Sequence, residues 1–141
     1  MSYWRLFYHA VWSTKYRQPL IDSSWEKDLY GYLWGKAIAL ECIPHAINGM
    51  PDHIHIVLSI PPKLAIATII GKLKGASSHH INENFLGDGF AWQDEYSIFS
   101  LSESALERAM GYVKGQKSHH AESTLITKFE ALSEKPTGLP H

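Results

Sequence analysis

The chain has 141 residues, of which 45% are hydrophobic and 19% are charged, and its formal net charge is −1 at pH 7. This length and apolar content favour one folded domain with its own core. The sequence contains no apolar run of about 18 residues, as a transmembrane helix requires, and no recognisable leader segment. Its single cysteine, Cys42, excludes an internal disulfide. We therefore expect a cytoplasmic protein that does not enter a membrane.

The first half of the chain predicts a strand, a helix and a hairpin. Residues 3–13 are aromatic and β-branched on both alternating faces, which is typical of a strand at the centre of a sheet. Residues 22–40 have apolar side chains at helical spacing. Residues 42–48 and 53–60 read as two strands joined by a turn, and Pro44 places the first of them at a sheet edge, because proline cannot donate to a ladder.

The second half predicts a helix, a strand and a last helix. Residues 64–83 carry an apolar stripe at helical spacing, and residues 90–101 have the composition of a strand. Ser104 and Glu107 have the spacing of a capping box, which predicts that a helix begins there and covers about 105–120.

The order of these elements predicts the fold. Strand, helix, strand, strand, helix, strand is the β-α-β-β-α-β order of the ferredoxin-like (RRM-like) α+β fold, an antiparallel sheet covered by helices. An additional C-terminal helix carries Tyr112. We expect one domain over residues 1–120, followed by a short, weakly structured tail over 121–141. This fold hosts many functions, so it does not determine the function by itself.

Two histidines on the predicted second hairpin strand are candidate metal ligands. His53 and His55 are two residues apart, so both imidazoles project from the same face of the strand. Neutral imidazole is a common metal ligand. The alternative is that both rings are simply packed and hydrogen-bonded, which is the more frequent fate of histidines on a half-buried strand.

The last helix offers a second group of candidates. Tyr112 and Gln116 are four residues apart and share a face, and Arg108 lies one turn before Tyr112, where it could contact a phosphate. Taken alone, Tyr112 reads as an aromatic at the edge of the core. Gly111 and Gly115 are costly inside a helix, so we expect them to allow close packing against the sheet or a shift of the helix.

Five segments occur in the order known from one enzyme family. They are Tyr8–Arg17 (YHAVWSTKYR), Pro51–Val57 (PDHIHIV), Lys72–Ser78 (KLKGASS), Phe90–Gln93 (FAWQ) and Tyr112–Gln116 (YVKGQ). Over about residues 3–120 the chain resembles the single-tyrosine HUH transposases, the small transposases of bacterial insertion sequences and their repeat-palindrome-associated relatives. The near-neutral net charge departs from the basic character expected of a DNA transposase.

The resemblance implies an activity and a site. His53, His55 and Gln116 would hold Mg²⁺ or Mn²⁺, and Tyr112 would attack a phosphodiester of single-stranded DNA. The products would be a 5′-phosphotyrosine and a free 3′-OH, and the covalent bond would allow rejoining without ATP. The resemblance also implies a homodimer that recognises DNA hairpins near the ends of a mobile element.

Several polar side chains near these motifs are candidates for DNA contacts, although a solvated helix surface explains them equally well. They are Lys72, Lys74, Ser77, Ser78, Arg108 and Lys114. We expect Trp92 to pack in the core rather than to stack on a base.

Three other functions compete with this interpretation. A domesticated relative would process chromosomal palindromes without moving an element, and the residues do not distinguish it. A binding module that holds single strands would not need Tyr112 together with three ligands. A metallohydrolase that uses water would require more carboxylates or histidines than Asp52 alone beside the histidine pair.

Overall fold

A computed structural model describes residues 2–117. The strands are β1 Phe7–Ser13, β2 Ile43–Met50, β3 His53–Ser59 and β4 Ser97–Leu101. The helices are α1 Glu26–Ala39, α2 Ile66–Ile81 and α3 Glu103–Lys114. The order β1-α1-β2-β3-α2-β4-α3 confirms the expected ferredoxin-like arrangement with an additional helix. The end of the last predicted helix, at 120, and the predicted tail over 121–141 lie outside the described residues.

The sheet is antiparallel throughout, with the strand order β2-β3-β1-β4. β1 lies between β3 and β4, which confirms its predicted central position. β2 is an edge strand within the described part of the chain, as Pro44 predicted, and the ladder is irregular between Pro44 and Ala46. None of the helices over residues 2–117 is long and apolar enough to cross a membrane.

The two faces of the sheet differ in chemistry because successive side chains of a strand alternate between them. One face contributes Ala10, Trp12, Ile54, Ile56 and Leu58 to the main core, together with buried side chains of α1 and α2. The other face of β3 carries His53, His55 and Val57, and α3 packs against it through a smaller apolar cluster. The polar residues of interest therefore lie between the sheet and α3.

The strand predicted over 90–101 is wrong in its first half, because only Ser97–Leu101 joins the ladder. Trp92 forms a single bridge with Thr14, and it is buried, as expected. The next side chain, Gln93, accepts hydrogen bonds from the backbone N–H and the hydroxyl of Ser13. A side chain thus occupies the position that a neighbouring strand would take along this part of β1.

The helix ends also differ from prediction. α3 begins at Glu103, and its N-cap is Ser102, whose hydroxyl accepts from Ala105 N at 3.2 Å, so the capping box predicted at Ser104 is wrong. α1 begins four residues later than predicted, because the Asp22 carboxylate accepts from the backbone N–H of Ser24 and forms a local turn.

Candidate metal and tyrosine site

The histidine pair lies at the start of β3, directly after the hairpin turn. His53 and His55 project from the same face, as the spacing predicted, and their ring centroids are 5.2 Å apart. His53 is 2% exposed and His55 is fully buried. Gly49 of β2 lies so close to this strand that a Cβ atom there would come within 2.3 Å of the His53 carbonyl oxygen. The hairpin therefore holds the backbone of His53 tightly.

Each imidazole has a hydrogen-bond partner at its Nδ1 atom. Asp52 Oδ1 lies 2.7 Å from His53 Nδ1, and His9 Nε2 lies 2.8 Å from His55 Nδ1. With Nδ1 engaged on both rings, a cation would be held through the two Nε2 atoms. Partners of this kind fix the ring orientation and the tautomer of a metal-binding histidine.

The charge of Asp52 is stabilised by its surroundings. The hydrogen bond from His53 is the main cause that lowers the pKa of Asp52 to about 2, and attraction to His53 and Arg17 adds to it against the effect of burial. Arg17 Nη2 lies 3.0 Å from Asp52 Oδ2. Asp52 is therefore a carboxylate at neutral pH, which favours a proton on Nδ1 of His53.

Tyr112 of α3 packs over the histidine pair within the same chain. Its ring centroid lies 6.0 Å from that of His55, in an edge-to-face arrangement, and the residue is 4% exposed. α3 ends at Lys114, with Gly115 as its C-cap, so Tyr112 and Gln116 do not lie on one continuous helix as predicted. Gln116 follows this end and is fully buried.

The other predicted site residues lie in different places. Ser77 is fully buried, and its hydroxyl accepts from Trp92 Nε1 at 2.9 Å, so it belongs to the core rather than to a DNA-facing surface. Lys74 is half-buried, donates to the Glu95 carbonyl oxygen, and has its pKa lowered by burial. The residues that are exposed are Lys72, Arg108 and Lys114.

Sequence reasoning did not assign His9 to the site. It is fully buried on β1, diagonal to His55 across the β1–β3 ladder, in which His9 pairs with Val57 and Val11 with His55. The sequence does place a histidine inside an otherwise apolar strand. Its partner became evident only when the register between β1 and β3 was known.

The donor set fits a divalent cation. Within residues 2–117, no group of three or more His, Cys, Asp or Glu side chains is arranged to hold a metal. A three-ligand site therefore needs an amide oxygen besides the two imidazoles, and Gln116 is the buried amide that follows α3. Two oriented imidazoles and a carbonyl-type oxygen form a mixed nitrogen and oxygen donor set, which suits Mn²⁺ or Mg²⁺ better than a thiophilic metal.

The fold places the chain in the class of small transposases. A crystal structure described as a transposase from Deinococcus radiodurans matches with a TM-score of 0.67 and 26% identity, covering 82% of this chain and 95% of that one. The structure of a REP-associated tyrosine transposase bound to a REP hairpin matches with a TM-score of 0.65 and 13% identity, covering 100% of this chain and 92% of that one. At 13% identity, the second likeness concerns the fold alone.

The chain belongs to the IS200-like transposase family, whose model matches residues 2–116. The ISDra2 transposase TnpA of Deinococcus radiodurans is 31% identical over 122 residues, which cover 80% of this chain and 85% of that protein. The transposase of insertion sequence IS200 from Salmonella typhimurium is 33% identical over 87 residues, covering 58% of this chain and 54% of the relative. The resemblance seen in the motifs is thereby confirmed, and the chain is a transposase.

Proposed function

We propose that this transposase cuts and rejoins single-stranded DNA at hairpin-marked ends, with Tyr112 as the nucleophile and a Mg²⁺ or Mn²⁺ ion on His53, His55 and Gln116. The observation that carries the proposal is the position of Tyr112. Its ring lies 6.0 Å from that of His55, and both histidines have their Nδ1 atoms engaged, by Asp52 and by His9. A tyrosine and an oriented ligand pair thus face each other.

The chemistry follows from these groups. The Tyr112 hydroxyl oxygen attacks the phosphorus, the bond from phosphorus to the 3′ oxygen breaks, and the phenolic proton is balanced by the proton that the leaving 3′-OH gains. A bound divalent cation supplies charge stabilisation at the phosphate. The phosphotyrosine ester keeps the energy of the phosphodiester, so a 3′-OH can reverse the reaction and join a new strand.

The site must open to admit DNA. His53, His55, Tyr112 and Gln116 are each at most 4% exposed. A cleft of about 480 Å³, lined by Arg17, residues 50–53 and Pro19, reaches the histidine pair from the side of the hairpin turn. We expect a phosphate to approach through this cleft and α3 to move when Tyr112 engages it.

Two features support a DNA partner with a hairpin. The matched REP-associated transposase is described as bound to a REP hairpin, and transposases of insertion sequences are relatives of this chain. Arg108 and Lys114 are exposed on α3, the helix of the nucleophile, where they could contact phosphates. A role in moving an element is favoured over a domesticated role by the 31% identity to the ISDra2 transposase.

We also propose a homodimer, since an apolar patch lies on one side of the molecule. Trp34 and Ile38 are one turn apart on α1 and are 38% and 56% exposed, and Ile43, which begins β2, is 51% exposed. Exposed apolar residues that cluster in this way mark interaction surfaces. A second copy of the chain is the partner that the family resemblance implies.

The deciding experiment is the capture of a covalent adduct. A labelled DNA hairpin with single-stranded extensions is incubated with Mg²⁺ or Mn²⁺ and the full chain, and then denatured. We expect an adduct for the wild type that is lost with a chelator and in Tyr112→Phe. Tyr30→Phe is the matched control, because it removes a hydroxyl that bonds Glu26 on α1, away from the site.

Each other outcome identifies a competitor. Cleavage without an adduct, or cleavage that persists in Tyr112→Phe, would show a nuclease that uses water. Tight binding of the single strand without cleavage would show a binding module. Equal loss of the adduct in Tyr30→Phe and Tyr112→Phe would show that the effect is not specific to the nucleophile.

A further inference from the structure

The segment after β1 has a strained backbone. Tyr16 has φ 58° and ψ 19°, and Arg17 has φ 54°, so two consecutive residues with side chains lie in the left-handed region that favours glycine. Hydrogen bonds hold this turn, since Arg17 N donates to Thr14 O at 3.0 Å and Lys15 N donates to Ala91 O at 2.9 Å. Strain of this kind is found mostly at functional sites.

Packing does not explain the Tyr16 side chain. The residue is 80% exposed, and the contact recorded for its ring is with the Lys15 ammonium group, 5.5 Å from the ring centroid. Glycine would adopt this backbone conformation more readily. A tyrosine here therefore costs stability without adding to the core, whereas a ligand that covers its ring would account for it.

The position of Tyr16 connects it to the histidine pair. Arg17 lines the cleft that reaches His53, and it also lines a second cleft of about 530 Å³ between residues 13–17 and 91–94, which has Tyr16 in its wall. Arg17 bonds to Asp52, which in turn bonds to His53. Because the two clefts share Arg17, a strand that places a phosphate at His53 passes Arg17 and arrives at Tyr16.

The chemistry of this surface fits an unpaired nucleotide. Bases stack on exposed aromatic rings, and lysine and arginine contact the phosphates on either side. Tyr16 lies between Lys15 and Arg17 in the sequence, which gives that combination. Asp94 also lines the second cleft, so the basic character is confined to the Lys15–Arg17 side. In a duplex the base faces are already stacked, so the ligand must offer a single-stranded nucleotide.

We propose that Tyr16 is a stacking site for one unpaired base of the DNA strand, next to the phosphate that binds at His53, with Lys15 and Arg17 on the flanking phosphates. The inference rests on the proposed single-stranded substrate and assigns a subsite to it. The strained turn holds the ring in place before DNA arrives, so less ordering is required when the base binds.

The test compares two kinds of DNA probe. Labelled hairpins with a single-stranded extension of about ten nucleotides on the 5′ or the 3′ side, and a blunt hairpin, are titrated with the full chain carrying Tyr112→Phe, so that the probe stays uncut. Tyr16→Ala is expected to weaken binding of one extended hairpin by about 5- to 150-fold. Tyr16→Trp should retain binding, and Tyr3→Ala, a change at a tyrosine that is 87% exposed, should be neutral.

Two further measurements separate stacking from a structural role. Single abasic positions are moved along the extension, and at the stacked position the abasic change and Tyr16→Ala should not be additive. Tyr16→Gly should weaken binding and yet raise Tm, because it relieves the left-handed strain.

Three results would overturn the proposal: normal affinity of Tyr16→Ala for both extended hairpins, equal weakening for the blunt hairpin, or loss of self-association as the main effect, which would make Tyr16 a contact between copies. If Tyr112 forms its adduct and Tyr16→Ala is neutral, only this inference fails. If the wild-type chain binds none of the probes, the proposed function fails and this inference fails with it.

Discussion

His9 shows how one buried side chain can control another. Its Nε2 atom lies 2.8 Å from His55 Nδ1, and both residues are fully buried. If a neutral His55 holds a cation through Nε2, its proton lies on Nδ1 and is donated to His9. His9 must then accept, which requires its own proton to be on Nδ1. We therefore regard His9 as a positioning residue.

Replacing His9 should weaken metal binding according to whether the new side chain can accept a hydrogen bond. His9→Phe keeps a flat ring but removes the acceptor, and we expect Mn²⁺ affinity to fall by about 10- to 100-fold. His9→Gln offers an amide oxygen and should retain most of the affinity. Calorimetric titration of Mn²⁺ measures both. Similar affinities for the two variants would show that His9 only fills space.

At the scale of elements, the β2–β3 hairpin is built more tightly than α3. A Cβ atom at Gly49 would lie 2.3 Å from His53 O and 2.9 Å from Ile54 Cα, whereas one at Gly111 would meet nothing within 4 Å. The expectation that Gly111 allows close packing against the sheet is therefore wrong, since it lies on the exposed side of α3.

Alanine at the two glycines should have opposite effects on stability. Gly49→Ala must displace the backbone of β3, and we expect it to lower the free energy of unfolding by about 1–3 kcal/mol. Gly111→Ala restricts the unfolded chain and should raise it by about 0.5–1 kcal/mol. Urea denaturation measures both. A destabilising Gly111→Ala would indicate that α3 needs glycine for a conformation other than this one.

Elements with regular patterns could be predicted, while contacts between elements could not. The alternation over 53–60 placed His53 and His55 on one face, and Pro44 located an edge, because strand geometry alone decides both. The loss of a strand before Ser97 depends on the Gln93 side chain bonding to Ser13. Such tertiary contacts leave no periodic trace in the sequence.

The same limit applied to the site. The spacing of Tyr112 and Gln116 suggested a shared helical face, but the helix ends at Lys114. The left-handed conformation of Tyr16 could not be anticipated, because tyrosine has no preference for it. Motif likeness selected the residues, and only the fold showed which other residues bond to them.

At the scale of the whole molecule, the exposed patch on α1 and β2 should mediate self-association. Ile38→Lys places a charge within it, so we expect the dimer to dissociate at concentrations at which the wild type remains dimeric. Leu86→Lys is a control with the same chemistry at a site that is 37% exposed and outside the patch. Light scattering after size exclusion gives the mass. A dimer that survives Ile38→Lys would place the interface elsewhere.

The alternation of β3 has a consequence for misfolded forms of the protein. A slip of one residue in its pairing would turn Ile54 and Ile56 towards α3 and bury both imidazoles in the apolar core beneath α1 and α2. Burying two polar rings there without partners would be costly. A chain with the wrong register would therefore lose its fold along with its histidine site, so folding itself proofreads the site, and a folded but register-shifted population should not accumulate.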